Sequence, residues 1–232
     1  MSEFGRRVCL LLGFALLVFC GLLTALHTVG TDAALYERLQ LEAGVLDTAG
    51  IDHAELRMLD RSMAAYLGGD ATLLAVPAQG GGEGSPITPL FNEREMTHME
   101  DCMRLFVLLR RAMLGTLIFG VGLVALGVAL RARPAEVRLM AWLAPLIVLI
   151  PLAAFAVWAV ADFNAAFTFF HHVLFTNDLW LLDPRTDLLI RICPASMFMN
   201  MGLRIAAAGL ACAVGLPAAV SALILLKEKL LK

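Results

Sequence analysis

The chain alternates long apolar runs with polar stretches. Four of the runs are long enough to cross the hydrocarbon core of a bilayer as a helix, which takes about 20 residues. They cover residues 8–29, 112–130, 139–160 and 201–226. This pattern predicts an all-α membrane protein with four transmembrane helices.

The composition supports this class. Of the 232 residues, 60% are hydrophobic and only 16% are charged, and the mean hydropathy is +0.80. The net charge of -2 gives no basic field that would attract a polyanion. We therefore expect membrane lipid around the chain and no nucleic-acid partner.

The basic residues predict the orientation, because cytoplasmic loops carry an excess of Lys and Arg. They precede the first run, fill the turn after the second run and follow the fourth: Arg6, Arg7, Arg131, Arg133, Arg138, Lys227, Lys229 and Lys232. Both termini are then cytoplasmic, and residues 30–104 and 161–197 form a small extracytoplasmic cap. The first run is longer than the roughly 7–15 apolar residues of a signal peptide, so we interpret it as a retained anchor.

Local signals predict short helices in the first cap segment. Thr31 or Asp32 can cap one helix, and Asp52 and Glu55 have the spacing of a capping box that starts another. Gly68 and the glycine after it end that second helix. Residues 72–76 are predicted as a short strand and residues 79–89 as a Gly- and Pro-rich loop.

Two cysteines lie in the predicted cap segments. Cys102 and Cys193 form either a disulfide or two free thiols, since sequence cannot supply the Cα separation that a disulfide requires. The other three cysteines lie inside apolar runs, where a thiol behaves as a small hydrophobic side chain.

Glu95, His98 and Asp101 are spaced by three residues directly before the second run. On a helix they share one face, where a carboxylate can fix the tautomer of the histidine and raise its basicity. The alternative is a solvated acidic helix with an incidental histidine. Cys102 is also on this face and could serve as a nucleophile beside His98, which we regard as the weaker interpretation.

The second cap segment is rich in aromatic residues around His171 and His172. An aromatic belt at the membrane interface explains the rings but not the histidine pair. Asp183 followed by Pro184 predicts a helix start with a proline in its first position. Asn177 and Trp180 are turn residues or pocket lining.

At this point the chain resembles a known family, the bacterial lipoprotein intramolecular transacylases. The resemblance rests on two motifs, Arg94-Glu95-x-x-His98-Met99-x-Asp101 before the second run and Phe170-His171-x-x-x-Phe175-x-Asn177-x-x-Trp180-x-x-Asp183-Pro184-x-x-Asp187 after the third. It extends over the four-span topology and the cap.

The resemblance implies an acyltransferase that uses no metal or organic cofactor. Its substrate is a diacylglyceryl lipoprotein, whose sn-2 acyl chain moves to the α-amine of its own N-terminal cysteine. The implied catalytic pair is His98 and His171. The implied residues that line the pocket or support the histidines are Arg94, Glu95, Asp101, Phe170, Asn177 and Trp180.

The resemblance also implies a plasma-membrane protein of bacteria with its active site at the extracytoplasmic face. It does not fix the oligomeric state, and a monomer is compatible with it. Two other functions remain open from the residues. One is a lipid or lipoprotein acyl hydrolase that uses the same histidines with water as the acceptor. The other is a non-enzymatic membrane adaptor whose acidic cap binds an exported partner.

Overall fold

The computed structural model describes residues 2–70 and 91–231. Within those ranges the secondary structure is entirely helical. The helices are α1 (Glu3–Gly30), α2 (Ala33–Glu42), α3 (Val45–Ala49), α4 (His53–Gly68), α5 (Glu93–Ala129), α6 (Pro134–Ala161), α7 (Phe163–Leu174), α8 (Leu188–Ile192) and α9 (Ala195–Leu230). The predicted strand at residues 72–76 and the loop at residues 79–89 lie outside the described residues.

Among the described residues four helices, α1, α5, α6 and α9, are long and apolar enough to cross a membrane. This confirms the predicted number of spans. The helices continue beyond the predicted apolar runs, and α5 shows this most clearly. Its 37 residues make a helix about 55 Å long, whereas a hydrocarbon core is about 30 Å thick. The first part of α5, ahead of the predicted span at residues 112–130, carries His98.

The described chain forms two compact units. The first, which we call the span unit, comprises Met1–Leu26, Arg110–Val160 and Arg204–Lys232. The second, which we call the site unit, comprises His27–Leu109 and Ala161–Leu203.

Close helix packing shapes the span unit. A Cβ atom added at Gly13 of α1 would lie 2.8 Å from the side chain of Val124 in α5, and one at Gly120 would lie 2.9 Å from Leu17. Small residues allow this approach of backbones, which is how helices associate where lipid removes the usual hydrophobic drive. At one end of the unit Glu136 accepts hydrogen bonds from Arg6 at 3.0–3.2 Å and from the backbone N–H of Arg133 at 2.9 Å.

The site unit has its own apolar core. It combines buried residues of α2, α3, α4 and α8, among them Leu39, Leu56, Leu59 and Ile192. The buried amide of Gln40 in α2 donates to the carbonyl of Ile192 at 2.9 Å, which ties α2 to α8.

The predicted starts of α2 and α4 in the site unit are confirmed. Asp32 caps α2 by accepting from the N–H of Leu35 at 3.0 Å. Asp52 and Glu55 form the capping box of α4, with Asp52 accepting from the N–H of Glu55 at 2.9 Å. Helix α4 ends at Gly68, and Gly69 follows with a φ of 110°, a left-handed conformation that favours glycine.

The predicted helix start at Asp183 is wrong. Residues 184–186 form a turn, in which the N–H groups of Thr186 and Asp187 both donate to the carbonyl of Asp183. The carboxylate of Asp183 accepts from the N–H of Arg185 at 2.9 Å, so it stabilises the turn, and α8 begins only at Leu188. An aspartate before a proline serves a turn as well as a helix start.

The cysteine alternative is also resolved, because Cys102 and Cys193 are both free thiols. Both pack against the apolar core of the site unit.

The capping box of α4 gives a test of this unit. We expect Asp52→Ala to lower the free energy of unfolding by about 1 kcal/mol, because the N–H of Glu55 loses its acceptor. Asp52→Asn keeps an acceptor oxygen and should behave like the parent protein. Thermal unfolding of the detergent-solubilised protein measures the difference, and equal melting temperatures for the alanine variant and the parent would contradict it.

Candidate active site

His98 is placed by α5 and is buried, with 7% of its surface exposed. Its ring meets the edge of Phe175 at a centroid distance of 5.1 Å. The apolar contact explains why a polar side chain in this position is withdrawn from water.

His171 is placed by α7, whose first turn is capped by Asp162 through the N–H of Ala165 at 3.0 Å. It lies in the last turn of the helix and is 8% exposed. Its ring packs on Phe167 at 4.0 Å and on Trp180 at 4.8 Å between centroids.

The two histidines are neighbours, although 73 positions separate His98 and His171 in the sequence. Their ring centroids are 6.3 Å apart, and the planes are inclined by 34°. The adjacent His172 is exposed and touches Trp180 from outside at 5.1 Å. The structure therefore brings together the two histidines that the motifs selected and leaves His172 at the surface.

A hydrogen bond identifies the tautomer of His171. Its Nδ1 lies 2.7 Å from the carbonyl oxygen of Phe167, one helical turn earlier. A carbonyl only accepts, so Nδ1 carries the proton in the neutral ring. The lone pair is then on Nε2, which is the nitrogen that can accept a proton from a substrate.

The nitrogens of His98 have different surroundings. Nε2 lies 3.7 Å from Sγ of Cys102, one turn further along α5. Nδ1 is buried and has no hydrogen-bond partner among the described residues.

The expected role of the two carboxylates as direct partners of His98 is not what the structure shows. Glu95 accepts from the backbone N–H groups of Asn92 at 2.7 Å and Leu189 at 2.6 Å. Asp101 accepts from the amide of Asn177 at 2.8 Å. Glu95 is 1% exposed, and these hydrogen bonds give its buried side-chain oxygens the partners that a polar group needs away from water.

Instead, these polar residues fix the segment after α7 against α5. Asn177 donates to Asp101 and also accepts from the N–H of Leu179 at 3.1 Å. The guanidinium of Arg94 donates to the carbonyls of Asp178 and Leu179. This segment carries Trp180, so Arg94 and Asn177 position one wall of the site.

Sequence reasoning missed Asn92 and gave no role to Asp187. The side chain of Asn92 donates to Asp187 at 2.8 Å and accepts from the N–H of Glu95 at 3.0 Å. The pair Asn92 and Glu95 is thus a reciprocal cap on α5, and its spacing of three positions was a readable signal. The bond to Asp187 joins residues far apart in the chain, for which local spacing gives no signal.

Aromatic rings line the histidine pair. Phe170 meets His171 edge-on at 5.5 Å and is 43% exposed, whereas Trp180 is 8% exposed. The indole Nε1 of Trp180 is buried and has no partner among the described residues. Phe167 continues the aromatic wall to Phe198 at 5.4 Å.

Burial keeps both imidazoles neutral. Desolvation, together with the nearby His171, lowers the pKa of His98 to about 4, and the charge of Asp101 opposes this only in part. Desolvation also lowers the pKa of His171 below its ordinary value, against the hydrogen bond to Phe167. Two neutral imidazoles side by side can accept one proton and donate another, which is acid–base catalysis.

A metal site receives no support from the described residues. Among residues 2–70 and 91–231, no three His, Cys, Asp or Glu side chains come together as a group that could hold an ion.

The fold and the site define a membrane-integral, all-helical protein with a buried histidine pair suited to proton transfer. A family model for the lipoprotein intramolecular transacylase Lit matches residues 11–198. The chain therefore belongs to the Lit family, which confirms the resemblance seen in the sequence, and it is an acyltransferase. A comparison with curated proteins gave no match.

Solved structures give the same fold. The in meso structure of the membrane-integral lipoprotein intramolecular transacylase Lit from Bacillus cereus is similar with a TM-score of 0.70 and 18% identity, over 99% of this chain and 100% of that one. A variant of that protein with one histidine replaced by arginine gives a TM-score of 0.70 and 17% identity, over 98% and 95% of the two chains. At this identity the likeness establishes the fold.

The burial of His98 predicts a dependence of stability on pH. In the unfolded chain it has the ordinary pKa of about 6.5, and in the folded protein the pKa is about 4. Between these two pH values the unfolded state therefore binds more protons than the folded state. The protonation of His98 thus leaves the free energy of unfolding unaffected above pH 6.5 and decreases it as the pH falls toward 4.

We expect His98→Gln to lose less stability than the parent between pH 6.5 and 4. The comparison with the parent is essential, because burial raises the pKa of Asp60 to about 7 and that group acts in the opposite direction. His172→Gln, at an exposed position, serves as the control. Melting temperatures measured across this range would contradict the account if parent and His98→Gln lost stability in parallel.

Proposed function

We propose that this protein transfers the sn-2 acyl chain of a diacylglyceryl lipoprotein to the α-amine of the same lipoprotein's N-terminal cysteine. The product is the lyso-form, which is N-acylated and keeps one acyl chain on the glycerol. The observation that carries the proposal is the pair of buried, neutral imidazoles of His98 and His171 at 6.3 Å. Membership in the transacylase family supports the type of reaction and the lipoprotein substrate.

The reaction needs one proton removed and one supplied. The amine nitrogen attacks the ester carbonyl carbon, the bond from that carbon to the glyceryl oxygen breaks, and an amide and a free hydroxyl result. The amine has a pKa of about 8 and must lose a proton to attack. Nε2 of His171 is the base in this proposal, since its lone pair is free while Nδ1 donates to Phe167.

His98 then acts as the polariser of the ester or as the acid that returns a proton to the glyceryl oxygen. General acid–base catalysis of this kind contributes about 10²–10⁴-fold. The larger effect is positioning, because donor and acceptor belong to one molecule and oriented groups reach effective molarities of about 10⁵ M or more. Phe170, Phe175 and Trp180 would exclude water, which favours the amine over hydrolysis.

The site's location is part of the proposal. Arg6, Arg7 and Arg133 gather around Glu136 at one end of the span unit, with nitrogen–oxygen distances of 3.0–3.5 Å. The positive-inside rule makes that end cytoplasmic. Residues 30–104 and 161–197 would then lie outside the bacterial plasma membrane, and the anchored lipoprotein would enter the site from the outer leaflet.

Mass spectrometry of N-terminal lipopeptides tests the function. The gene is expressed in a bacterial host that lacks lipoprotein N-acylation, together with a reporter lipoprotein. We expect an unchanged total mass with one acyl group moved to nitrogen, and a loss of at least about 10²-fold in the rate of transfer for His98→Ala and His171→Ala. His172→Ala and His53→Ala, which change exposed histidines, should retain the activity.

Three outcomes would overturn the proposal. Loss of an acyl group without N-acylation would indicate a hydrolase. A reporter lipoprotein that stays unmodified when the parent protein is expressed would favour a membrane adaptor. Full activity in either of the two buried-histidine variants would remove the paired-histidine mechanism.

A further inference from the structure

One sulfur atom stands beside the candidate catalytic pair without a part in the mechanism so far. Sγ of Cys102 is 3.7 Å from Nε2 of His98, within the reach of a hydrogen bond to sulfur. Residues four apart on a helix lie on the same face, so α5 itself holds the two groups together. The two carboxylates on this face, Glu95 and Asp101, are bonded elsewhere.

The protonation state of Cys102 allows its S–H group to be the donor in this contact. Burial, reinforced by the negative charge of Asp101, raises the pKa of the Cys102 thiol to about 12. The sulfur therefore stays protonated near neutral pH. A thiol is a weak donor and a weak acceptor, while the unprotonated nitrogen of a neutral imidazole is a good acceptor, so the contact favours the S–H as donor and the ring nitrogen as acceptor.

We propose that Cys102 is a positioning residue, whose S–H donates to Nε2 of His98 and holds the ring as the tautomer protonated on Nδ1. This inference rests on the proposed function for its catalytic meaning. The Cys102 side chain, one turn along α5, then fixes the tautomer of His98, just as the carbonyl of Phe167 fixes the tautomer of His171.

The two bonds give the histidines opposite roles. His171 exposes a lone pair on Nε2, whereas His98 offers an N–H at Nδ1. That Nδ1 is buried and has no partner among the described residues, in a side chain that is only 7% exposed. A buried donor without a partner is unfavourable, and an oxygen of the substrate ester or of its leaving group would satisfy it. The arrangement is that of one base and one hydrogen-bond donor.

The test uses variants that separate the loss of the hydrogen-bond donor at position 102 from the loss of side-chain volume. Cys102→Ser keeps a hydroxyl donor, while Cys102→Ala and Cys102→Val remove it, the valine restoring apolar volume. Cys193→Ala is the matched control, since Cys193 is a second thiol that packs against the core of the site unit. Turnover of a synthetic diacylglyceryl lipopeptide is measured with the purified full-length protein in detergent micelles.

We expect kcat to fall about three- to tenfold for both the alanine and the valine variant, with KM unchanged, because one neutral hydrogen bond is lost. Cys102→Ser and Cys193→Ala should stay within about twofold of the parent. Nitrogen NMR of the protein labelled at histidine should show His98 protonated on Nδ1 in the parent and a shift toward protonation on Nε2 in Cys102→Ala.

Several results would overturn this inference. A parent ring protonated on Nε2, or an unchanged tautomer in Cys102→Ala, would show that the thiol does not fix the ring. A serine variant as slow as the alanine and valine variants would show that donation is not the cause. An acyl group found on Sγ of Cys102 would make the residue a nucleophile. If the parent transfers no acyl group, the proposed function fails, but the NMR measurement still decides whether Cys102 holds His98.

Discussion

The hydrogen bond from Asn177 to Asp101 is the contact on which the candidate site depends. It joins the segment after α7 to the helix that carries His98, at 2.8 Å. Arg94 and Glu95 add bonds from the same helix to the backbone on either side of Trp180. The polar residues of α5 thus act as a frame, and the histidines meet because this frame fixes the chain between α7 and α8.

The frame allows the histidines themselves to remain almost free of polar partners. Carboxylates bound to an imidazole would raise its pKa, whereas desolvation here keeps the pKa of His98 at about 4 and that of His171 below its ordinary value. A neutral pair is what a reaction needs when one ring must accept a proton from an amine. In the proposed reaction the same dry surroundings would favour an amine acceptor over water, which would connect the packing of the aromatic rings to the choice of product.

Local chemistry explains which features were predictable from the sequence. The spans follow from apolar length, and the starts of α2 and α4 follow from capping residues within four positions. The partners of Glu95 and Asp101 were not predictable, because Leu189 and Asn177 lie 94 and 76 positions away. Helical spacing therefore suggested His98 as their partner. The predicted helix start at Asp183 was wrong for a related reason, since an aspartate before a proline is compatible both with a helix cap and with the turn that forms.

The most direct test of the frame is a reciprocal exchange of its central pair. Asp101→Asn and Asn177→Asp are made singly and together, and the rate of acyl transfer is measured in each purified protein. Asn177→Asp places two carboxylates opposite each other and should slow transfer most, while Asp101→Asn leaves a weaker bond between two amides and should slow it less. The double variant restores an amide facing a carboxylate and should recover most of the rate. A double variant no faster than the slower single one, or single variants with the full parent rate, would contradict the claim that this bond positions the histidine pair.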